Sequence, residues 1–223
     1  YGDVRALNPK RRIPTPAIDA LAGEGISFSN AHASASVCTP SRYGLLTGRY
    51  AFRSEKAARG IGGFEEPVIE PGRKTLASVL GEAGYTTACI GKWHLGVDWQ
   101  TIDGEERAVM NSTTRYSNVD YSKPVTGGPN DLGFDYSFIH PASLDIPPYL
   151  FLRNQEATDP EMVLTTDVYP ARKEDTEYAW DKKHTVEQDV YWQKGVWWRR
   201  GEMARSFRIE HCHTTIMTEG IAF

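Results

Sequence analysis

The sequence is short of cysteine. Its three, Cys38, Cys89 and Cys212, are too few and too scattered for a disulfide framework. No Cys-x-x-Cys pair suggests a structural zinc, so the cysteines leave the redox compartment open. Long apolar runs are also missing; none approaches the roughly 20 residues of a membrane span. Nor is there an excess of one charge. Lys and Arg number 25 against 29 Asp and Glu, a net −4, which gives no electrostatic footprint for nucleic acid or an anionic membrane. There is no internal repeat and no low-complexity tract. An ordinary globular composition remains, 223 residues long, enough for one domain or one large piece of a bigger one. The chain starts on Tyr1-Gly2-Asp3 and stops at Gly220-Ile221-Ala222-Phe223, with no initiator Met and no signal peptide. Residues 1–223 are therefore expected to be a partial domain cut at both ends.

What is present reads as alternating helix and strand. Thr15 caps and Pro16 opens a first helix over "AIDALAGEG", which Gly23 or Gly25 ends. "ISFSNAH", Ile26 to His32, begins with strand-like alternation. Thr39 and Pro40 are expected to cap and open a second helix, Pro40 to Thr47, stopped by Gly48. The design repeats in "KTLASVLGEAGYTTACIGKWHLG": Thr75 caps a helix to about Ala83, Gly84 breaks it, and Tyr85 to Ile90 forms a short strand. Helix, glycine, strand, then polar residues at the strand's end is the grammar of an α/β fold with a mainly parallel sheet. Functional residues in such sheets gather at the carboxyl ends of strands, where Lys92 and His94 lie. Val97 to Leu132 reads as a long surface excursion. Gly133 to Phe151 reads as a strand feeding a proline-punctuated packed loop. Residues 152–195 are charged and unpatterned, and a last helix is expected near His213 to Phe223.

Cys38 falls at the mouth of the second helix. Such a terminus carries partial positive charge, lowers a thiol's pKa and receives anions. Arg42, one turn on, adds a fork suited to tetrahedral oxyanions. Lys92 and His94 offer another cation and a general acid or base. Together they describe a site for an anionic substrate with several equivalent oxygens, such as a sulfate or phosphate ester.

The residues go further. "SVCTPSRYGLLTG", Ser36 to Gly48, resembles the first signature of the type I sulfatases, with its Cys-x-Pro-x-Arg core. "GYTTACIGKWH", Gly84 to His94, resembles the second, in the family's order and at a plausible distance. "YGDV" resembles the residues after the family's paired metal-binding aspartates, and "PASLDIPPY" a segment with a substrate-contacting serine. The resemblance implies an alkaline-phosphatase-like fold, a mixed, mainly parallel sheet sandwiched by helices and here incomplete. It implies sulfuric ester hydrolysis, R–O–SO3⁻ to alcohol and sulfate, with a sulfated carbohydrate or aryl sulfate as substrate. Cys38 would be oxidised to formylglycine by a formylglycine-generating enzyme. It would then serve as nucleophile, pass through a covalent sulfo-enzyme intermediate, and ligate calcium. Arg42 would hold the modified side chain. Lys92 would bridge it to sulfate, His94 would orient its hydroxyl, and Ser143 would contact the substrate. A periplasmic or secreted location is the family's habit. The paired aspartates and the later Asp-Asn calcium ligands find no match in this sequence, so the chain alone is expected to be inactive.

Blander readings stand beside these. A free cysteine is most often a small buried hydrophobe, and Cys89 reads that way. Ser143 could simply cap a turn. "HCH", His211 to His213, has no partner ligands at zinc spacing, and alternate helix residues face apart. The aromatics of "YWQKGVWW", 191–198, read as packing rather than a sugar platform. Asn111-Ser112-Thr113 is a glycosylation sequon by pattern only. His140 is expected near the pocket, though the motif gives it no specific role. The alternatives are a phosphonate or phosphate monoester hydrolase of the same superfamily, and a non-catalytic gene remnant.

Overall fold

A computed structural model describes residues 2–107, 116–169 and 199–223. The sequon and the 191–198 aromatics lie outside the described residues. The chain divides into two compact units, residues 1–33 and 34–223.

The first unit holds helix α1, Pro16–Glu24. Pro16 occupies the first turn, where its missing N–H is an orphan anyway. The Thr15 hydroxyl makes no capping bond; it bonds the Asp19 carboxylate at 3.1 Å and accepts from the Arg5 N–H. Ile26 to His32 forms no strand. Ile26 and Phe28 are exposed, so the alternation there has no sheet to bury it.

The second unit carries the sheet. Helix α2 runs Cys38–Thr47 and ends on Gly48, whose φ of 65° is the left-handed geometry that glycine supplies freely. It begins two residues before the sequence suggests, so Cys38 is the first helical residue. Val37 stands at the N-cap with no side-chain cap bond. Pro40 is tolerated because first-turn N–H groups have no helical partner. Helix α3, Leu76–Glu82, is capped by Thr75 as expected, and Ser78 reciprocates to complete a capping box. Gly84, at φ 86°, turns the chain into strand β1, Ala88–Lys92.

Strand β1 pairs in parallel with β2, Tyr136–His140, aligning Lys92 with His140. The Asp135 carboxylate pins this register by accepting from the Thr87 N–H at 2.7 Å and its hydroxyl at 3.0 Å. Strands β3, Leu152–Arg153, and β4, Glu156–Ala157, add antiparallel neighbours, giving the order β1-β2-β3-β4. The sheet is mixed, as expected, and β1–β2 is its parallel pair among the described residues. A separate ribbon pairs β5, Met162–Leu164, with β6, Glu202–Ala204. A single helical turn, α4, Thr165–Val168, follows β5. Helix α5, Cys212–Ala222, packs on β1 and β2. No described helix is long and apolar enough to cross a membrane.

The 97–132 stretch corrects the sequence reading. Val97, Trp99, Val119, Tyr121, Val125 and Leu132 are all buried. The described residues of the stretch, irregular in backbone apart from a 3-10 turn at Pro129–Leu132, supply core. Part of the reason is Glu202, which is buried and accepts from the Ser117 N–H, the Ser117 hydroxyl and the Tyr121 hydroxyl. An aromatic cluster closes the centre: Phe138 stacks on Phe151 at 4.8 Å, and His140, Tyr149 and Phe207 pack against one another.

Candidate active site

The site forms where β1 and β2 end. Beyond Lys92 the chain turns sharply, and His94 takes a left-handed φ of 55°. A non-glycine residue there is strained by about 1–3 kcal/mol and persists only when its surroundings hold it. Three bonds do so. The His94 N–H donates to the Pro141 carbonyl at 2.9 Å, its carbonyl accepts from the Thr39 hydroxyl at 3.0 Å, and its Nε2 faces the Ile61 carbonyl at 2.8 Å. A carbonyl only accepts, so Nε2 carries the proton and Nδ1 presents a lone pair. Nδ1 sits 3.1 Å from Cys38 Sγ. The thiol therefore donates to a neutral imidazole. Burial, helped by the Lys92 and Arg42 charges, lowers the His94 pKa, which keeps the ring neutral near pH 7.

Arg42 reaches across from α2. Its Nη1 donates to the Lys92 carbonyl at 2.6 Å, locking the helix to the end of β1. Its Nε is buried with no hydrogen-bond partner among the described residues. Lys92 Nζ donates to Ser143 Oγ at 3.1 Å, and a lysine ammonium has two further donors. The structure thus brings Cys38, Arg42, Lys92, His94 and Ser143 into one linked set.

Sequence reasoning missed several contributors. Thr39, expected as a cap, spends its hydroxyl on His94. Asp145, two residues after Ser143, acts electrostatically on both His94 and His140 and pairs with Arg199 at 3.6 Å. His140 is fully buried, its Nδ1 3.1 Å from the Leu150 carbonyl, and burial lowers its pKa. No sequence pattern signals these; they follow from the β1–β2 register and the turn at 141–150. Burial pushes the Cys89 and Cys212 thiols up to about 12 and about 11, against a smaller opposing effect of the Arg42 charge at Cys89.

Of the groups in this set, His94 Nδ1 is the one in hydrogen-bond reach of Cys38; Lys92 keeps two donors beyond its bond to Ser143, and Arg42 Nε keeps one. Calcium does not fit on these residues alone. It takes six or more oxygens, and no group of three or more His, Cys, Asp or Glu among the described residues could hold a metal ion. That holds for His211 to His213 as well.

The sulfatase family model matches residues 1–184. The chain is 39% identical over 144 residues to an N-acetylgalactosamine-6-O-sulfatase of Bacteroides thetaiotaomicron, covering 64% of this chain and 25% of that protein. It is 46% identical over 140 residues to arylsulfatase G of Rattus norvegicus, covering 61% and 24%. A solved sulfatase structure, from work on glycosaminoglycan metabolism by Bacteroides thetaiotaomicron, superposes with a TM-score of 0.63 at 27% identity. It covers 94% of this chain and 42% of that one. The chain spans about a quarter of the length of the curated relatives it matches. By the family match over most of its length and by this shared fold, the chain belongs to the sulfatase family.

Proposed function

We propose that the protein containing this chain hydrolyses sulfate esters of carbohydrates or aryl alcohols, with Cys38 as the precursor of its nucleophile. The observation that carries this reading is the linked set at the strand ends. A cysteine at a helix N-terminus is hydrogen-bonded to a neutral histidine, and two cations joined through Lys92 stand beside it. Formylglycine at position 38 supplies an aldehyde hydrate, one hydroxyl of which attacks sulfur while the other allows sulfate to be expelled. Conversion would require a formylglycine-generating enzyme acting on the Cys-x-Pro-x-Arg segment.

The chain's own residues then have distinct work. His94 Nδ1 accepts the proton of the attacking group, and its Nε2–H, held on the Ile61 carbonyl, fixes the tautomer. Lys92 binds a sulfate oxygen and offsets charge that develops on it. Ser143, bonded to Lys92, orients that ammonium and meets the substrate. Arg42 ties α2 to β1 and sets the distance between nucleophile and cation. Calcium is part of the family reading, with the modified Cys38 as one ligand. Among the described residues, no group of three or more His, Cys, Asp or Glu could hold the ion. A periplasmic or secreted setting belongs to the same reading.

The test is to compare turnover of an aryl sulfate and the matching aryl phosphate by the full-length protein, made with the converting enzyme. Sulfate hydrolysis lost on Cys38→Ala supports the reading. A preference of several orders for phosphate makes the protein a phosphate or phosphonate monoester hydrolase instead. No turnover of either ester by the converted protein supports a non-catalytic remnant.

A further inference from the structure

We propose that His140 is a positioning residue for Lys92: its Nε2 accepts an ammonium proton that Ser143 does not, directly or through one buried water. The kinetic consequence of this bond rests on the sulfatase reading of the site; the bond itself does not.

Three observations converge on it. The first is the register. Lys92 and His140 are the last residues of β1 and β2 and pair with each other. Register partners on parallel strands project from the same face of the sheet, about 4.8 Å apart. The two side chains therefore start as neighbours. The second is an acceptor without a donor. His140 is buried, and its Nδ1 lies 3.1 Å from the Leu150 carbonyl. A carbonyl only accepts, so Nδ1 carries the proton and Nε2 holds the lone pair. Nε2 is buried with no hydrogen-bond partner among the described residues. Buried acceptors are rarely left bare, because the water lost on folding is replaced by another donor or kept. The third is a shared neighbourhood. Ser143 Oγ accepts one Lys92 proton at 3.1 Å. The Ser143 backbone and the Lys92 and Asp145 charges in turn act on the His140 ring.

The ring is well held for this work. Tyr149 and Phe207 pack nearly parallel to it, at interplanar angles of 10° and 26°, so Nε2 stays where it is. Burial, helped by the Lys92 charge, favours the neutral imidazole. Lys92 gains most from such an anchor. Its ammonium ends a flexible four-carbon stem, and one bond to Ser143 leaves it free to turn. A second bond to His140 fixes it and leaves the third N–H for an anionic oxygen of the substrate.

The experiment has two arms, both on full-length protein. The first is nitrogen-15 NMR of histidine-labelled protein, which needs neither turnover nor a change at His140. His140 is expected as the Nδ1–H tautomer, with its Nε2 resonance shifted upfield as a hydrogen-bonded acceptor. Lys92→Met should move that resonance downfield and leave Nδ1–H in place. A Nε2 resonance unmoved by Lys92→Met, or a ring protonated on Nε2, overturns the proposal. The second arm is turnover of an aryl sulfate by the converted protein. His140→Phe keeps a ring packed on Tyr149 and Phe207 and removes the acceptor. It should lower kcat roughly tenfold with KM changed less than about twofold, and His140→Gln, which restores an acceptor, should recover most of the loss. In a Lys92→Met background His140→Phe should cost nothing further, since the residue it acts through is gone. Wild-type kcat in a folded His140→Phe protein overturns the proposal, as does the same loss in the Lys92→Met background. No turnover by the wild type removes the sulfatase reading instead, and the NMR arm then decides alone.

Discussion

Consider Thr39→Val. The two side chains have nearly the same shape, so packing is preserved and one hydroxyl is lost. Thr39 is fully buried and His94 nearly so. The Thr39 hydroxyl donates to the His94 carbonyl at 3.0 Å. Valine leaves that carbonyl buried without this donor, which costs about 1–3 kcal/mol. The same bond helps hold His94 at its left-handed φ of 55°, so the loss falls on a residue already under strain. Thr39→Ser makes the opposite change: it keeps the donor and deletes one methyl, worth about 1 kcal/mol with the small cavity it leaves. Urea unfolding of the chain, with unchanged m-value, measures both. The valine variant should be less stable than wild type by about 2 kcal/mol and less stable than the serine variant. A valine variant within about 0.5 kcal/mol of wild type would refute the claim that this bond anchors His94.

Other consequences are as direct. Burial lowers the pKa of both His94 and His140 below the ordinary 6.5, so below that pH the unfolded chain binds protons that the folded chain does not. Stability is then fully present above about pH 6.5 and falls as pH drops toward the folded values, by at most ~1.4 kcal/mol per pH unit for each ring. In urea titrations from pH 7.5 to pH 5, His140→Phe should flatten that slope, and an unchanged slope would remove His140 from the account. Gly96 lies at φ 76°, where an added Cβ would strike the Glu66 carbonyl. Gly96→Ala should cost more than about 2 kcal/mol in the same assay. Glu202→Gln weakens a buried acceptor of three donors, and amide exchange of residues 116–121 should speed up with a stability loss of about 1.5–3 kcal/mol.

Local signals were legible in the sequence where the physics is local. Pro16, the Thr75 cap and the glycines at 48 and 84 act within a turn of chain, and the structure has helix boundaries or breaks beside each. Strand β1 begins three residues later and ends two residues later than the sequence suggests, because Tyr85 and Thr86 have strand-like side chains but precede the Thr87–Asp135 bonds that start the pairing. Ile26 to His32 shows the limit of periodicity, since alternation makes a strand only when a neighbour pairs with it. Thr39 shows a second limit. Its hydroxyl was read as a cap, the nearest local use, whereas it serves His94, 55 positions away. Cys38, Arg42, Lys92, His94 and Ser143 were legible as candidates because their motifs are contiguous. Asp145 and Arg199 were not, because the register and the 141–150 turn bring them in; His140 was legible as a neighbour of the pocket but not in its role. The buried core of 97–132 was hidden because its apolar residues follow neither a helical nor a strand period.

The most direct measurement is the mass of the tryptic peptide from Ile13 to Arg42, taken from full-length protein expressed with an active formylglycine-generating enzyme. The account predicts an aldehyde in place of the Cys38 thiol. An unmodified cysteine there, in cells that convert a control sulfatase, would contradict it.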